Sequence, residues 1–253
     1  MIQVAARKRW LAMVLALITP GLGQVYCCEL LRGCCVFIFF IFSPLLLASL
    51  AVRLPDSFLL AGMMFAVGTA LATYIYGVVD AAKLANSKGT HCKLQQYNGP
   101  LVYLAIWMVG TALIFSSDQY LKTTTIEAYK IVSNSMAPTV LRGDYVLTKK
   151  PAFRNRAIQK GDIVIAVYPD DRSKMLIRQI EALPGETLLD KDGSPLVVPH
   201  GKVIVRGTGR NAIDSTLFGP LDMRDIVGRV VQIYFSRNGS KIRWERFGKL
   251  VNQ

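Results

Sequence analysis

Two serines lie one residue apart in Ser133-Asn134-Ser135-Met136-Ala137-Pro138-Thr139, and Leu141-Arg142-Gly143-Asp144 follows directly. A serine hydroxyl becomes a useful nucleophile only when a neighbouring base removes its proton, and the tetrahedral oxyanion that follows needs donors aimed at it. Taken alone, the stretch reads better as a Ser/Thr-rich strand end whose hydroxyls are locally satisfied. His200 is the only histidine of residues 118–253, and Val198-Pro199-His200-Gly201 reads as a solvated turn. Metal chemistry is not indicated: the adjacent pairs Cys27-Cys28 and Cys34-Cys35 lack the spacing of a zinc site and read as apolar packing.

The serine stretch resembles the nucleophile box of bacterial type I signal peptidases (leader peptidases), whose pattern is Ser-x-Ser-Met-x-Pro-Thr followed by Gly-Asp. Gly161-Asp162-Ile163-Val164, Leu183-Pro184-Gly185-Glu186 and Asp214-Ser215 resemble that family's later boxes, in the same order and at similar distances. The resemblance covers residues 118–253. It implies a membrane-anchored serine endopeptidase that removes signal peptides from exported precursors after small residues of the Ala-x-Ala type. It further implies Ser135 as nucleophile, and Ser133 with the Ser135 backbone N–H as oxyanion donors. Asp214 and Ser215 would support the site, and no metal or cofactor would be needed.

The family pairs its serine with a lysine five residues before the leucine of Leu-Pro-Gly, a variant of the triad logic. A buried lysine with a lowered pKa serves as such a base. Here that position is Arg178, and arginine is not deprotonated in proteins. Lys174 is the fallback base, but four strand residues at about 3.3 Å each separate it from Arg178 by roughly 13 Å. The last box departs too: the serine that orients the family's lysine falls at about Ala212, and Thr216 stands for the terminal arginine. A silent homologue that binds signal-like segments by strand addition is therefore the alternative reading.

These residues need elements to hold them and a place to work. The chain has 253 residues, 52% hydrophobic and 19% charged, with a net charge of +13, which excludes disordered and collagen-like classes and argues against a purely soluble protein. Gly33–Val52, Phe58–Val79 and the segment from Pro100 to about Phe115 reach the length of a membrane span. Trp10–Tyr26 is interrupted by Thr19-Pro20-Gly21-Leu22-Gly23 and reads as re-entrant or interfacial. Three spans put Arg7, Lys8, Arg9, Arg32 and the Lys83–Lys93 loop on the cytoplasmic side, as basic loops prefer. The expectation is a multi-pass protein of the cell (inner) membrane with residues 118–253 on the outer face. All five cysteines would then face or line the reducing side, and their odd number argues against a disulfide framework.

The fold class expected is an N-terminal α-helical membrane region, residues 1–117, followed by a mostly antiparallel β domain of signal peptidase I type, residues 118–253. Short Val-, Ile- and Tyr-rich runs support the second part: Tyr129–Val132, Tyr145–Thr148, Ile163–Tyr168, Met175–Ile180, Lys202–Val205 and Val230–Phe235. Gly143-Asp144, Gly161-Asp162 and Asp192-Gly193 read as turns, and Lys241–Arg246 reads as a last strand. Met136, Ala137 and Val140 are weighed equally as lipid-resting or core residues. The 22 basic and 14 acidic residues of 118–253, with Lys149, Lys150, Arg154, Arg156 and Lys160 clustered, suggest anionic lipid head groups rather than nucleic acid. Signal peptides of precursors and membrane lipid are the partners expected.

Overall fold

The computed structural model describes residues 4–88, 92–93, 97–150, 157–189, 195–209 and 212–251. Arg154, Arg156 and the Asp192-Gly193 turn lie outside the described residues. The chain divides into two compact units, residues 1–51 with 61–121, and residues 52–60 with 122–253.

The first unit is helical. Helix α1 (Arg9–Ile18) is 10 residues long, about 15 Å at the α-helical rise, and is too short to cross a bilayer. It stops at Thr19-Pro20, and Gly21, at φ +92°, turns the chain into α2 (Leu22–Tyr26). A Cβ at Gly21 would lie 2.3 Å from the Gly33 carbonyl oxygen, so only glycine permits this close return. Helices α3 (Leu30–Arg53), α4 (Leu59–Lys88) and α5 (Pro100–Thr124) are 24, 30 and 25 residues long and apolar enough to cross a membrane. Small residues, Ala12, Ala16, Ala81 and Ala85, let α1, α2 and α4 approach closely around Tyr26 and Cys27. Among these helices Asp80 is buried, paired with Arg32 and accepting from Gln24 Nε2 at 3.2 Å. Strands β1 (Val4–Ala5) and β2 (Cys92–Lys93) pair antiparallel.

One expectation about this unit is corrected. Cys28 is disulfide-bonded, while Cys34 and Cys35 are free. An odd number of cysteines excludes a fully paired set and leaves room for a single bridge.

The second unit is built on an antiparallel sheet. Its strands are β3 (Ile126–Lys130), β4 (Asp144–Lys149), β5 (Ile163–Tyr168), β6 (Asp171–Ala182), β9 (Lys202–Arg206), β10 (Leu221–Asp222), β11 (Ile226–Asn238) and β12 (Lys241–Ile242). The order is β10-β9-β6-β5-β11-β4-β3, with β12 paired to the end of β11. Strands β7 (Thr187–Leu189) and β8 (Pro195–Val197) form a separate hairpin, two strands not among the runs read from the sequence. Strand β5 shows why its run Ile163–Tyr168 lacks polar alternation. Ile163 and Ile165 enter a core with Met136, Val146, Ile177 and Ile233, whereas Val164 and Ala166 enter a second one with Ile180, Val203 and Leu221. Both faces of the strand are covered, so every position is apolar.

Three readings change here. Met136 and Val140 are fully buried, so these two are core residues rather than lipid contacts. Lys241–Arg246 is not one strand: β12 ends at Ile242 and a 3₁₀ turn covers Trp244–Arg246, because Arg246 turns inward to the buried Asp144. Lys149 and Lys150 are not a free basic patch, since they pair with Asp56 at 2.7 Å and Glu127 at 2.5 Å.

Asp56 belongs to the short segment between α3 and α4. Its carboxylate also meets Arg229 at 2.8 Å, and the backbone N–H of Leu60 donates to Gln232 Oε1 at 3.2 Å. This segment is thereby fastened to β4 and β11 of the second unit.

Candidate active site

The loop that carries Ser133 and Ser135, residues 131–143, is held at both ends before any chemistry is considered. At its start the Ile131 N–H donates to the Asp144 carbonyl at 2.8 Å, and at its end the Gly143 N–H donates to the Ile131 carbonyl at 2.8 Å. Inside it, Ala137 N–H reaches the Asn134 carbonyl and Val140 N–H the Met136 carbonyl, at 3.1 and 2.9 Å. The Asn134 side chain accepts from the Arg142 N–H at 3.0 Å. Met136, fully buried, anchors the loop in the first core, which leaves its neighbour Ser135 half-exposed at the surface.

Beneath the loop lies Asp144, with no exposed surface. It accepts from Leu141 N–H at 2.8 Å and Ser236 Oγ at 2.6 Å, and pairs with Arg246 at 2.6 Å and Arg243 at 3.2 Å. A buried carboxylate is tolerable only when its lone pairs are filled in this way. The Gly-Asp motif at 143–144 is thus the structural post of the loop.

Three side chains meet at the surface. Ser133 Oγ lies 3.2 Å from Ser135 Oγ, and Arg178 Nη1 donates to Ser135 Oγ at 2.8 Å. Arg178, on β6, is only 5% exposed. Its Nε donates to the Ile213 carbonyl at 2.7 Å, Nη2 donates to the same oxygen, and Nη1 also reaches the Ile177 carbonyl. Burial pushes the guanidinium below its ordinary value, and the negative charge of Asp214 works in the opposite direction. It remains a cation with donors and no lone pair to offer.

The segment following β9 closes the site from the other side. Gly209 N–H donates to the Ser135 carbonyl at 2.9 Å, and Thr208 Oγ1 to the Ala137 carbonyl at 3.0 Å. A Cβ at Gly209 would stand 2.2 Å from the Asn134 carbonyl, which accounts for glycine there. Asp214 caps the four-residue helix α6 (Ser215–Phe218), accepting from Thr216 N–H at 3.1 Å and Thr216 Oγ1 at 2.6 Å, and from Gly207 N–H at 3.3 Å. Burial alone would raise the Asp214 carboxyl, but these bonds outweigh it and hold the group below the usual carboxylate range. Ser215 Oγ accepts from the Val205 N–H at 3.0 Å and ties α6 to β9.

The structure therefore brings Ser133, Ser135, Arg178 and the Asp214 charge together, and places Lys174 elsewhere. Lys174 is in the β5–β6 turn region, 71% exposed along its side chain and paired with Asp171 at 2.8 Å. The hydrogen bond to Asp171 raises its pKa, so it is held as an ammonium. The described polar partners of Ser135 Oγ are Ser133 and Arg178. His200 is exposed in the turn before β9.

Sequence reasoning misses the Ile213 carbonyl, because a backbone acceptor leaves no residue-type signal. The two departures at Arg178 and Ala212 make sense through it. A guanidinium fork is satisfied by one carbonyl oxygen taking two N–H bonds, and no hydroxyl at position 212 is needed to orient it. Also missed is a groove of about 150 Å³ beside Ser133 and Arg178, lined by Tyr129, Ile131, Met175 and Ile177. The period-two pair Met175 and Ile177 on β6 is the one sequence signal that pointed there.

Comparison with known proteins shows what the chain is similar to. Residues 102–194 match the family described as Signal peptidase, peptidase S26. The chain is 31% identical over 137 residues to Signal peptidase I V of Bacillus subtilis, covering 40% of this chain and 80% of that protein. It is 28% identical over 151 residues to Probable signal peptidase I-1 of a Synechocystis strain, covering 48% and 75% of the two chains. A third relative, Mitochondrial inner membrane protease subunit 1 of Mus musculus, is 32% identical over 102 residues, 38% of this chain and 61% of the relative. Together with the paired serines, the buried Gly-Asp post and the antiparallel sheet that carries them, these matches establish that the chain belongs to the signal peptidase I family.

Proposed function

We propose that this chain is a membrane-anchored serine endopeptidase acting on the signal peptides of exported precursors, with Ser135 as nucleophile and an arginine in place of the proton-accepting lysine. The observation that carries the reading is the 2.8 Å hydrogen bond from Arg178 Nη1 to Ser135 Oγ. A cation donating to that oxygen stabilises an alkoxide but takes no proton from the hydroxyl. The proton must leave to solvent hydroxide, through the exposed side of Ser135. The alkoxide then attacks the scissile carbonyl, and the oxyanion is received by the Ser135 N–H and the Ser133 hydroxyl. Cleavage collapses the intermediate with proton delivery to the leaving amine from water, and hydroxide then hydrolyses the Ser135 ester, releasing the carboxylate product and restoring the serine. The resulting activity is slow near neutral pH and climbs with alkalinity.

The precursor would add as an extended strand beside residues 131–133, with side chains entering the 150 Å³ groove. The preference for small residues on the Ala-x-Ala pattern is carried over from the family resemblance.

We further propose that residues 1–117 form the membrane region and that residues 118–253 act on its outer face. Two sets of contacts support three crossings with a re-entrant start. Tyr97 Oη donates to the Cys28 carbonyl at 3.2 Å and Asn98 Nδ2 to the Val25 carbonyl at 2.9 Å, joining the two ends flanking α3 and α4. The Asp56 segment, at the opposite ends of α3 and α4, is bound to the β unit. Basic loops favour the N-terminal side as cytoplasmic. The disulfide at Cys28 is the one observation favouring the reverse sidedness, since bridges persist in oxidising compartments.

A second reading is a silent homologue that binds signal-like segments without cutting, favoured by the lack of a proton acceptor for Ser135 among the described residues. Cleavage of a precursor with an Ala-x-Ala junction, compared between the chain as given and Ser135→Ala from pH 7 to 10, separates the two. Alkaline-dependent cutting that Ser135→Ala abolishes supports the peptidase; no cutting at any pH supports the silent binder.

A further inference from the structure

A second, larger cavity of about 710 Å³ shares Lys130, Ile131 and Val132 with the Ser133 groove. Four cationic side chains line it, Lys130, Arg142, Arg237 and Arg243, with the amides of Asn134 and Asn238, and no carboxylate does among the described residues. The size is that of a small-ligand pocket, well beyond what one carboxylate occupies.

The cavity is built rather than incidental. Arg243, its deepest cation, is fixed by four acceptors: Ser236 Oγ at 2.7 Å, the Arg142 carbonyl at 2.8 Å, Asp144 Oδ1 at 3.2 Å and the Arg237 carbonyl at 3.3 Å. Gly143, at φ +90°, allows the Arg237 backbone to close against the nucleophile loop, where a Cβ would lie 1.9 Å from the Arg237 carbonyl oxygen. Asp144 is shared between Arg243 and Arg246, and neither it nor the exposed Glu245, two residues after Arg243, lines the cavity. Lys130, Arg142 and Arg237 are exposed, so their charge faces outward. Immediately after Arg243 the chain exposes Trp244 at 70% and Phe247 at 49%, with Ile242 just before it at 37%. A fixed cationic cup beside exposed aromatic and aliphatic side chains matches an amphiphile with an anionic head.

The geometry points to a phospholipid head-group site: an anionic phospholipid places its phosphate among Lys130, Arg142, Arg237 and Arg243, with Ile242, Trp244 and Phe247 at its apolar flank. The chain carries three helices apolar enough for a bilayer, so phospholipid is the phosphate-bearing ligand in greatest local supply. Arg142, Arg237 and Arg243 do not line the groove at Ser133, and the assignment does not depend on whether Ser135 cleaves anything.

The test is native mass spectrometry of the full chain in detergent, titrated with phosphatidylglycerol or phosphatidylcholine. One phosphatidylglycerol is expected to bind at least tenfold more tightly than phosphatidylcholine, and R142Q/R237Q is expected to weaken it about tenfold. Lys83→Gln, in the helical unit, should leave that site unchanged. Lys130→Gln alone, expected to weaken binding several-fold, serves if the double variant melts at a lower temperature. Equal affinity for the two lipids, or unchanged affinity in the variants, overturns the assignment. Displacement of the lipid by glycerol phosphate or inorganic phosphate at equal concentration would reassign the cup to a soluble phosphate. Displacement by an acidic peptide would reassign it to a protein segment.

Discussion

Replacing Arg178 by lysine tests the central chemical argument. The stem is one atom shorter and the planar fork becomes a single ammonium. The two N–H bonds to the Ile213 carbonyl collapse to one at most, and about 1–3 kcal/mol of stability is lost if that acceptor is left unfilled. In exchange the site gains a group that loses its proton. Position 178 is 5% exposed, and burial there already depresses even the guanidinium. A lysine in such surroundings falls from about 10.4 by roughly 2–3 units, to about 8, with the Asp214 charge resisting the last part of the fall. At pH 8 about half the molecules would hold a neutral amine near Ser135 Oγ, and general-base help is worth about 10²–10⁴-fold. The assay is cleavage of an Ala-x-Ala precursor by the full chain in detergent, from pH 6 to 10. The chain as given should show a rate rising about tenfold per pH unit with no plateau, as loss to hydroxide requires, and Arg178→Lys should level off near its new pKa. A chain as given that already plateaus near neutral pH would refute the reasoning, because some other base would then serve Ser135. So would an Arg178→Lys protein that is folded and no faster at pH 8.

Four further outcomes follow from the same geometry. Ser133→Ala removes a hydroxyl 3.2 Å from Ser135 Oγ and should lower kcat about 10²–10³-fold with little change in KM, read from initial rates. Asp144→Asn leaves Arg243 and Arg246 facing a neutral amide in a buried site and should cost about 3–5 kcal/mol, read from thermal or denaturant unfolding. Asp56→Ala releases the segment between α3 and α4 from Lys149 and Arg229; faster limited proteolysis within residues 52–60 is the expected sign, and an unchanged digestion pattern would remove the fastening role. Asp214 has a folded-state pKa below its unfolded value of about 3.9, so its contribution is fully present above that value and is lost as pH falls through the depressed folded pKa. Stability of the chain should fall less steeply below about pH 4 in Asp214→Asn than in the unchanged protein, measured by melting temperature against pH.

The order of the boxes, the three apolar helices and most strands of the β unit were legible in the residues, because these depend on period, length and local turn chemistry. Ile163–Tyr168 was read with its bounds intact, since a run of six apolar residues between Gly-Asp and Pro-Asp leaves little else for it to be. The break at Thr19-Pro20-Gly21 was equally plain, because proline and a left-handed glycine act on the chain without help from distant residues. The departure at position 178 was visible as a residue type that does not titrate.

Tertiary structure alone decided what arginine does there. Its acceptor is the carbonyl of Ile213, 35 residues away, and a backbone oxygen is the same in every residue type, so no spacing rule reports it. The same holds for Lys174, whose partner Asp171 is settled by the irregular β5–β6 pairing rather than by a count of residues along an ideal strand. Met136 looked as suited to lipid as to a core until the first core closed over it. The cationic cup joins Lys130 and Arg142 to Arg237 and Arg243, 95 residues or more further along the chain, and their like charges, scattered in sequence, acquire a shared target only when the sheet brings them round one cavity. Local chemistry is written along the chain; which groups face one another is a property of the folded sheet.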